Sequence, residues 1–284
     1  MAGKSDANGI ATRQQRDVGV ARDQPSATPK HAVRVLARGL AILRTFAPRN
    51  EWRSNQEIAA ATDLPKPTVS RFLSNLVEMG YLETSGSRGQ YRLSPAVLTL
   101  GYAALSRIDI LEVARPLMRA FATSEDALLV LASRDGQAMV CREVAYSRAM
   151  LTLRVNVGSR LSLARSALGG ALIGSLPEFE RKQLLNEIEK TYPHDWPELR
   201  DMLADAPRQM QERGFFTNQE ALETGVNGIG VVLDLPNQPN KYILGIAGPA
   251  FRFQESVMDK RLGPRLLELK KHIEREMRAL EPLR

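Results

Sequence analysis

The chain has 284 residues, 43% of them hydrophobic, and a formal net charge of +7. That is room for two domains with real cores. Its one cysteine, Cys141, excludes an internal disulfide, and no segment approaches the roughly 18 continuous apolar residues of a membrane helix.

Residues 1–30 are rich in Ala, Gln, Arg, Asp, Ser and Pro, with almost no large apolar side chains and no apolar run of signal-peptide length. They read as part of a disordered tail over 1–31, and a soluble, cytoplasmic chain is expected. Val33, Leu36, Leu40, Leu43 and Phe46 recur at helical spacing, which predicts an amphipathic helix ending before Pro48. Ser54 and Glu57 have the spacing of a capping box, so a short second helix starts at Ser54 and stops near Asp63. Pro65 and Pro67 suit the first turn of a third helix, where backbone N–H groups lack partners anyway. Its buried stripe is Val69, Phe72, Leu73, Leu76 and Val77, and Gly80 is placed to end it. Tyr81–Thr84 and Gln90–Leu93 flank "SGSRG" and predict a hairpin.

Ser94-Pro95 caps a further helix, a connector over 94–109. From Ile110 the pattern is mixed. A helix over Leu111–Ala122 precedes strands at Ala127–Ala132 and Ala138–Val144 around an Asp-Gly turn, and a strand at Leu151–Val155. "NVGSRLSL" reads as a loop leading to the small-residue helix "ARSALGGALIGSL". Helices over Glu178–Lys190 and Glu198–Arg213 follow, then the strands "GIGVVLDL" and "YILGIAG", and a closing helix near Glu255–Leu280. Hairpin-paired strands with helices beside them predict an α+β fold with an antiparallel sheet. The expected domains are a winged helix–turn–helix over 32–93, the linker helix over 94–109 and a second domain over 110–284.

Charge follows the same division. Residues 1–100 hold 14 Lys and Arg against 8 Asp and Glu, and the remainder holds 25 against 24. A basic front suggests nucleic acid as partner, although a basic tail with ordinary surface scatter would give the same balance. Helix, helix–turn–helix and hairpin within about sixty residues is the plan of a winged DNA-binding module. The third helix shows Lys66, Thr68, Ser70 and Arg71 in its first turns, where a recognition helix meets the major groove. Ser54 and Gln56 are candidate phosphate contacts, and Ser87 and Arg88 at the hairpin tip can reach the minor groove or backbone. Asn75, two turns in, reads as an ordinary solvated side chain. A winged helix can also serve protein contacts.

The run "VRVLARGLAILRTF…SNQEIAAATDLPKPTVSRFLSNLVEMGYLE…GQYRLSPAVLTLG" resembles the IclR family of bacterial transcriptional regulators. The likeness continues through "ILEVARPLMRAF", "VNVGSRLSLARSALGGALIGSLP", "RGFFTNQEALETGVNGIGVVL" and "GIAGPAFRF", over roughly residues 32–280. The resemblance implies a GAF-like effector-binding second domain, dimers or tetramers, and (pseudo)palindromic operator DNA. It also implies a carboxylic-acid or aromatic effector, often for a catabolic operon. Transferred by position, the effector pocket falls at Leu151, Leu153, Leu161, Leu163, Ala164, Ser166, Asn218, Val226, Asn227, Gly228, Ile229, Gly245 and Ala247. Leu163, Gly228, Gly245 and Ala247 are smaller or less polar than the family pattern. A roomier, apolar pocket for a bulkier or aromatic effector is therefore expected, anchored by Ser166, Asn218, Asn227 and backbone N–H groups. A pocket that has lost its ligand would show the same substitutions.

Arg165 is a weaker carboxylate candidate, and Cys141 reads as a small core residue. Three histidines without metal-ligand spacing, and the absence of a nucleophile elbow or phosphate loop, argue against an enzyme and against any metal or cofactor.

Overall fold

The structure, a computed structural model, describes residues 31–47, 50–86, 88–105, 109–147, 155–235 and 241–280. Residues 1–30 of the expected tail, and Ser87, Leu151 and Leu153, lie outside the described residues; His31, expected in that tail, is instead the first residue of the first helix.

The first unit packs α1 (His31–Arg44), α2 (Asn55–Thr62) and α3 (Lys66–Glu78) around Ile42, Phe46, Ile58, Val69, Leu73 and Leu76. The capping box forms: the Ser54 side chain accepts from the Glu57 N–H, and the Glu57 carboxylate accepts from the Ser54 N–H at 2.7 Å. Asp63 ends α2 in the left-handed region at φ 54°, a conformation that Asp tolerates better than most residues. Pro65 then stands as the N-cap of α3, and Gly80, at φ 78°, takes the left-handed position after that helix. β2 (Leu82–Thr84) and β3 (Gln90–Leu93) make the wing, with the two-residue β1 (Arg53–Ser54) on the far edge of β3. The inward face of α1 differs from expectation. It runs through Gly39, Ile42 and Phe46, while Leu36 and Leu40 are 65% and 48% exposed.

After α4 (Ala96–Leu105) and α5 (Asp109–Glu125) comes a six-stranded antiparallel sheet. Its strands are β4 (Leu128–Asp135), β5 (Ala138–Tyr146), β6 (Arg160–Ser162), β7 (Phe216–Gln219), β8 (Val226–Leu233) and β9 (Tyr242–Pro249), in the order β6-β5-β4-β9-β8-β7. One face, with Leu129, Leu131, Ile229, Val231, Leu244 and Ile246, packs on α5 and the closing helix. The alternate residues, among them Leu128, Val130, Ile243 and Ala247, face α6 (Ala167–Gly174) and the helices beyond it. The whole is α+β, as expected.

Three elements depart from the sequence reading. β6 and β7 are strands of three and four residues in stretches that had no strand assigned. The stretch expected as one helix over Glu198–Arg213 is α8 (Trp196–Ala204) and α9 (Ala206–Arg213). Pro207 lacks the N–H that would bond back to Leu203, so one helix cannot run through unbroken and the chain turns at Asp205. The closing helix is α10 (Glu255–Val257), a π turn over Met258–Leu262 and α11 (Gly263–Leu280). Pro264 cannot donate to Lys260, so the helical ladder cannot run through this point unbroken.

Candidate DNA-binding surface and effector cavity

The first turns of α3 present Lys66, Ser70 and Arg71 to solvent, with Thr68 half-buried. Arg71 and Arg88 are exposed, and neither has a hydrogen bond or ion pair among the described residues. The Lys66 ammonium donates to the Gln56 carbonyl oxygen at 3.3 Å, so two residues expected to touch DNA meet across the turn. Ser54 is differently placed: its hydroxyl accepts from the Glu57 N–H and donates to the Glu57 carboxylate at 2.7 Å, which commits it to the cap. At the base of the wing Arg92 lies over the Trp52 ring and pairs with Glu83. Asn50 binds the main chain of Leu93 with both ends of its amide. Asn50 and Trp52 thereby tie the wing to the loop after α1, a contact between segments far apart in the chain that no local spacing signals.

In the sheet domain a cavity of about 50 Å³ lies between α6 and the strands β4, β9 and β8. At about 10–15 Å³ per water that is space for a few waters, or one compact organic molecule. Leu161, Ser166, Asn218, Val226, Asn227, Gly228, Ile229, Gly245 and Ala247, all expected at the pocket, border it. Leu128, Val130, Val155, Ala167, Leu168, Leu222 and Ile246 border it as well and were missed. For Leu128 and Val130 the signal, alternation along β4, was legible, but which face carried the cavity was not; the others lie off β4 or, for Ile246, on the opposite face. Leu163 and Ala164 are fully buried and stand apart from it. Ile229 and Ile246 pack in the opposite core and reach the cavity only with main chain.

The glycines show why α6 lies so near. A Cβ on Gly230 would be 2.3 Å from the Ala167 carbonyl oxygen, and one on Gly169 only 1.7 Å from that of Leu163. At Gly245 the space left open is taken by Leu168, whose Cδ2 would be 2.6 Å from an added Cβ. At Gly228 it is not: an added Cβ would meet only the Ile246 carbonyl, Ala167 and Ala247, at 3.3 to 3.8 Å. The extra room expected from small residues therefore belongs to Gly228 and Ala247.

The polar groups divide sharply. Asn218 donates to the Arg165 carbonyl at 2.7 Å and accepts from Ala221; Asn227 donates to the Phe253 carbonyl at 2.9 Å and accepts from Glu220. Both amides fasten loops and have little left for a ligand. Ser166 caps α6 by accepting from the Gly169 N–H at 3.1 Å, and its hydroxyl proton has no acceptor among the described residues. The N–H groups of Ala167 and Leu168, first in the helix, have none either. Three donors without an acceptor thus lie at the positive end of α6, whose first residues border a mostly apolar wall. Arg165 turns away and pairs with Asp195 at 2.6 Å. Cys141 is buried off the cavity, and burial pushes its thiol up to about 12.

A winged helix joined to a sheet domain with a small, mostly apolar cavity is the architecture of a DNA-binding transcriptional regulator. The comparisons place it. Residues 35–86 match the IclR helix-turn-helix domain, and residues 102–275 match the bacterial transcriptional regulator IclR C-terminal domain. The HTH-type transcriptional regulator TsaQ1/TsaQ2 of Comamonas testosteroni is 30% identical over 92% of this chain and 94% of its own. The crystal structure of an IclR family transcriptional regulator from Brucella abortus is 36% identical, with a TM-score of 0.73, over 88% of this chain and 96% of that one. An IclR homologue from Microbacterium hydrocarbonoxydans, solved in complex with 4-hydroxybenzoate, shares the fold at 22% identity and a TM-score of 0.67, over 86% of this chain and 99% of that one. The chain belongs to the IclR family of transcriptional regulators, which bind DNA through the helix–turn–helix. Among the described residues no helix is long and apolar enough to cross a membrane.

Proposed function

We propose that this chain is a cytoplasmic regulator of a catabolic operon whose grip on operator DNA answers to an aromatic or similarly apolar monocarboxylic acid bound against α6. The cavity carries this reading: its wall is apolar and lacks any titratable side chain, while its free donors cluster at one helix N-terminus. A carboxylate fits that end, and an apolar body fits the space beside Gly228 and Ala247. Without a general acid or base at the wall, the cavity binds and does not catalyse; the known relatives are regulators, not enzymes.

DNA is read by Lys66, Thr68, Ser70 and Arg71 on α3, with Gln56 and the wing-tip Arg88 on the backbone and Ser54 acting through its cap. Self-association into dimers or tetramers on (pseudo)palindromic sites is supported by the exposed Leu36 and Leu40 on α1 and Leu98 and Leu100 on α4.

Calorimetric titration tests the effector reading. 4-Hydroxybenzoate or benzoate should bind at least about tenfold more tightly than pyruvate or glyoxylate, a gap of about 1.4 kcal/mol. The matching amides should bind more weakly than the acids. Tight binding of the small acids alone would overturn the apolar-effector assignment.

A further inference from the structure

The side chain of Asn55, the first residue of α2, is turned towards α3. Its amide nitrogen donates to the Ser70 hydroxyl oxygen at 2.6 Å, and its carbonyl oxygen is buried without a donor. Gln56 beside it holds Lys66. Lys66 and Ser70 are four residues apart and share one face of α3, so two adjacent residues of α2 grip two of the polar side chains that this face shows to solvent. A hydroxyl has one proton and two lone pairs. With a lone pair of Ser70 taken from below by Asn55, the proton is left to point outward from an exposed position beside Arg71. The orphaned Asn55 carbonyl is the cost of this arrangement, since nothing in the packing around α2 satisfies it.

We propose that Asn55 is a positioning residue for DNA recognition. It holds the Ser70 hydroxyl by its oxygen and aims the proton, as a donor only, at a base-edge acceptor in the major groove, such as a purine N7 or O6 or a thymine O4. The inference rests on α3 being the recognition helix. Asn55 itself does not touch DNA.

Binding by the full chain to two duplexes tests it: one selected from a random library by the unmodified chain, and an unselected duplex of equal length. Ser70→Ala, at an exposed helical position, should lower the ratio of specific to non-specific affinity about fivefold to tenfold. Asn55→Ala should lower it by a similar factor with the salt slope unchanged. The double variant should be no worse than the weaker single, because both remove one interaction. Asn55→Asp can only accept, so it pulls the hydroxyl proton inward and should lose the same discrimination. The proposal is overturned by an unchanged ratio in Ser70→Ala or Asn55→Asp, by additive losses, or by equal losses on both duplexes, which would mean a phosphate contact. If Asn55→Ala unfolds, the Ser70→Ala and Asn55→Asp results decide. Arg71→Ala separates the two levels. If it leaves affinity for the selected duplex intact, α3 is not the reading helix; if it alone weakens binding, only the Asn55 assignment fails.

Discussion

Ser54 and Glu57 show how much one short local motif can settle. The Ser54 side chain, and then its N–H, hold the Glu57 carboxyl below its ordinary value by hydrogen bonding to the charged form. A depressed folded-state value adds stability above the unfolded value, and that stability is lost as pH falls through the folded one. Ser54→Ala should therefore lower stability by about 1 kcal/mol near neutral pH, and by less in acid, where Glu57 is protonated in both proteins. Thermal or denaturant melts of the two at both pH values check this. This pair was legible in the sequence because its partners are three residues apart on one turn. The Asn55–Ser70 contact spans fifteen residues and depends on how α2 crosses α3, which no local spacing encodes.

Elements were legible where a period repeats often enough. α2, α3 and the wing hairpin lie within a residue or two of their expected positions, because caps, prolines and Gly80 mark their ends. β6 and β7 were not, because three or four residues cannot show a period of two. α6 was legible as a small-residue helix, but its sequence does not show how strict the packing at its glycines is. Gly169→Ala would set a methyl 1.7 Å from a backbone oxygen that has nowhere to go. We expect a loss of about 3 kcal/mol or failure to fold, against little change for Gly101→Ala, where an added Cβ meets open space. Melts of the two variants give the comparison. The effector pocket was legible as a list of positions and illegible as chemistry: Gly228 and Gly245 look alike in sequence, yet only one opens space, because Leu168 fills the other.

At the scale of the molecule the two units differ in charge, and their ligands should differ in response to salt. DNA affinity should fall steeply with ionic strength, with Arg88→Ala reducing the log–log slope by about one. Effector affinity, set inside a cavity without titratable walls, should change far less. Anisotropy titrations on DNA and calorimetry on the acid, across one salt series, measure both. Equal slopes for Arg88→Ala and the unmodified chain would remove the wing tip from the phosphate contacts.

The sheet between the cavity and the α5–α11 core is a single layer, and at Gly228 and Ala247 it borders the cavity with nothing longer than a methyl, while Leu128, Val130 and Val226 stand around them. Such a wall behaves as a diaphragm. Gly228 is followed in the chain by Ile229, and Ala247 is preceded by Ile246; both isoleucines are almost wholly buried on the far side. At Gly228 and Ala247 no long side chain stands between a guest and the main chain. A guest that displaces the main chain there also moves Ile229 and Ile246, which pack in the core under α5, the helix that follows α4 and the winged domain.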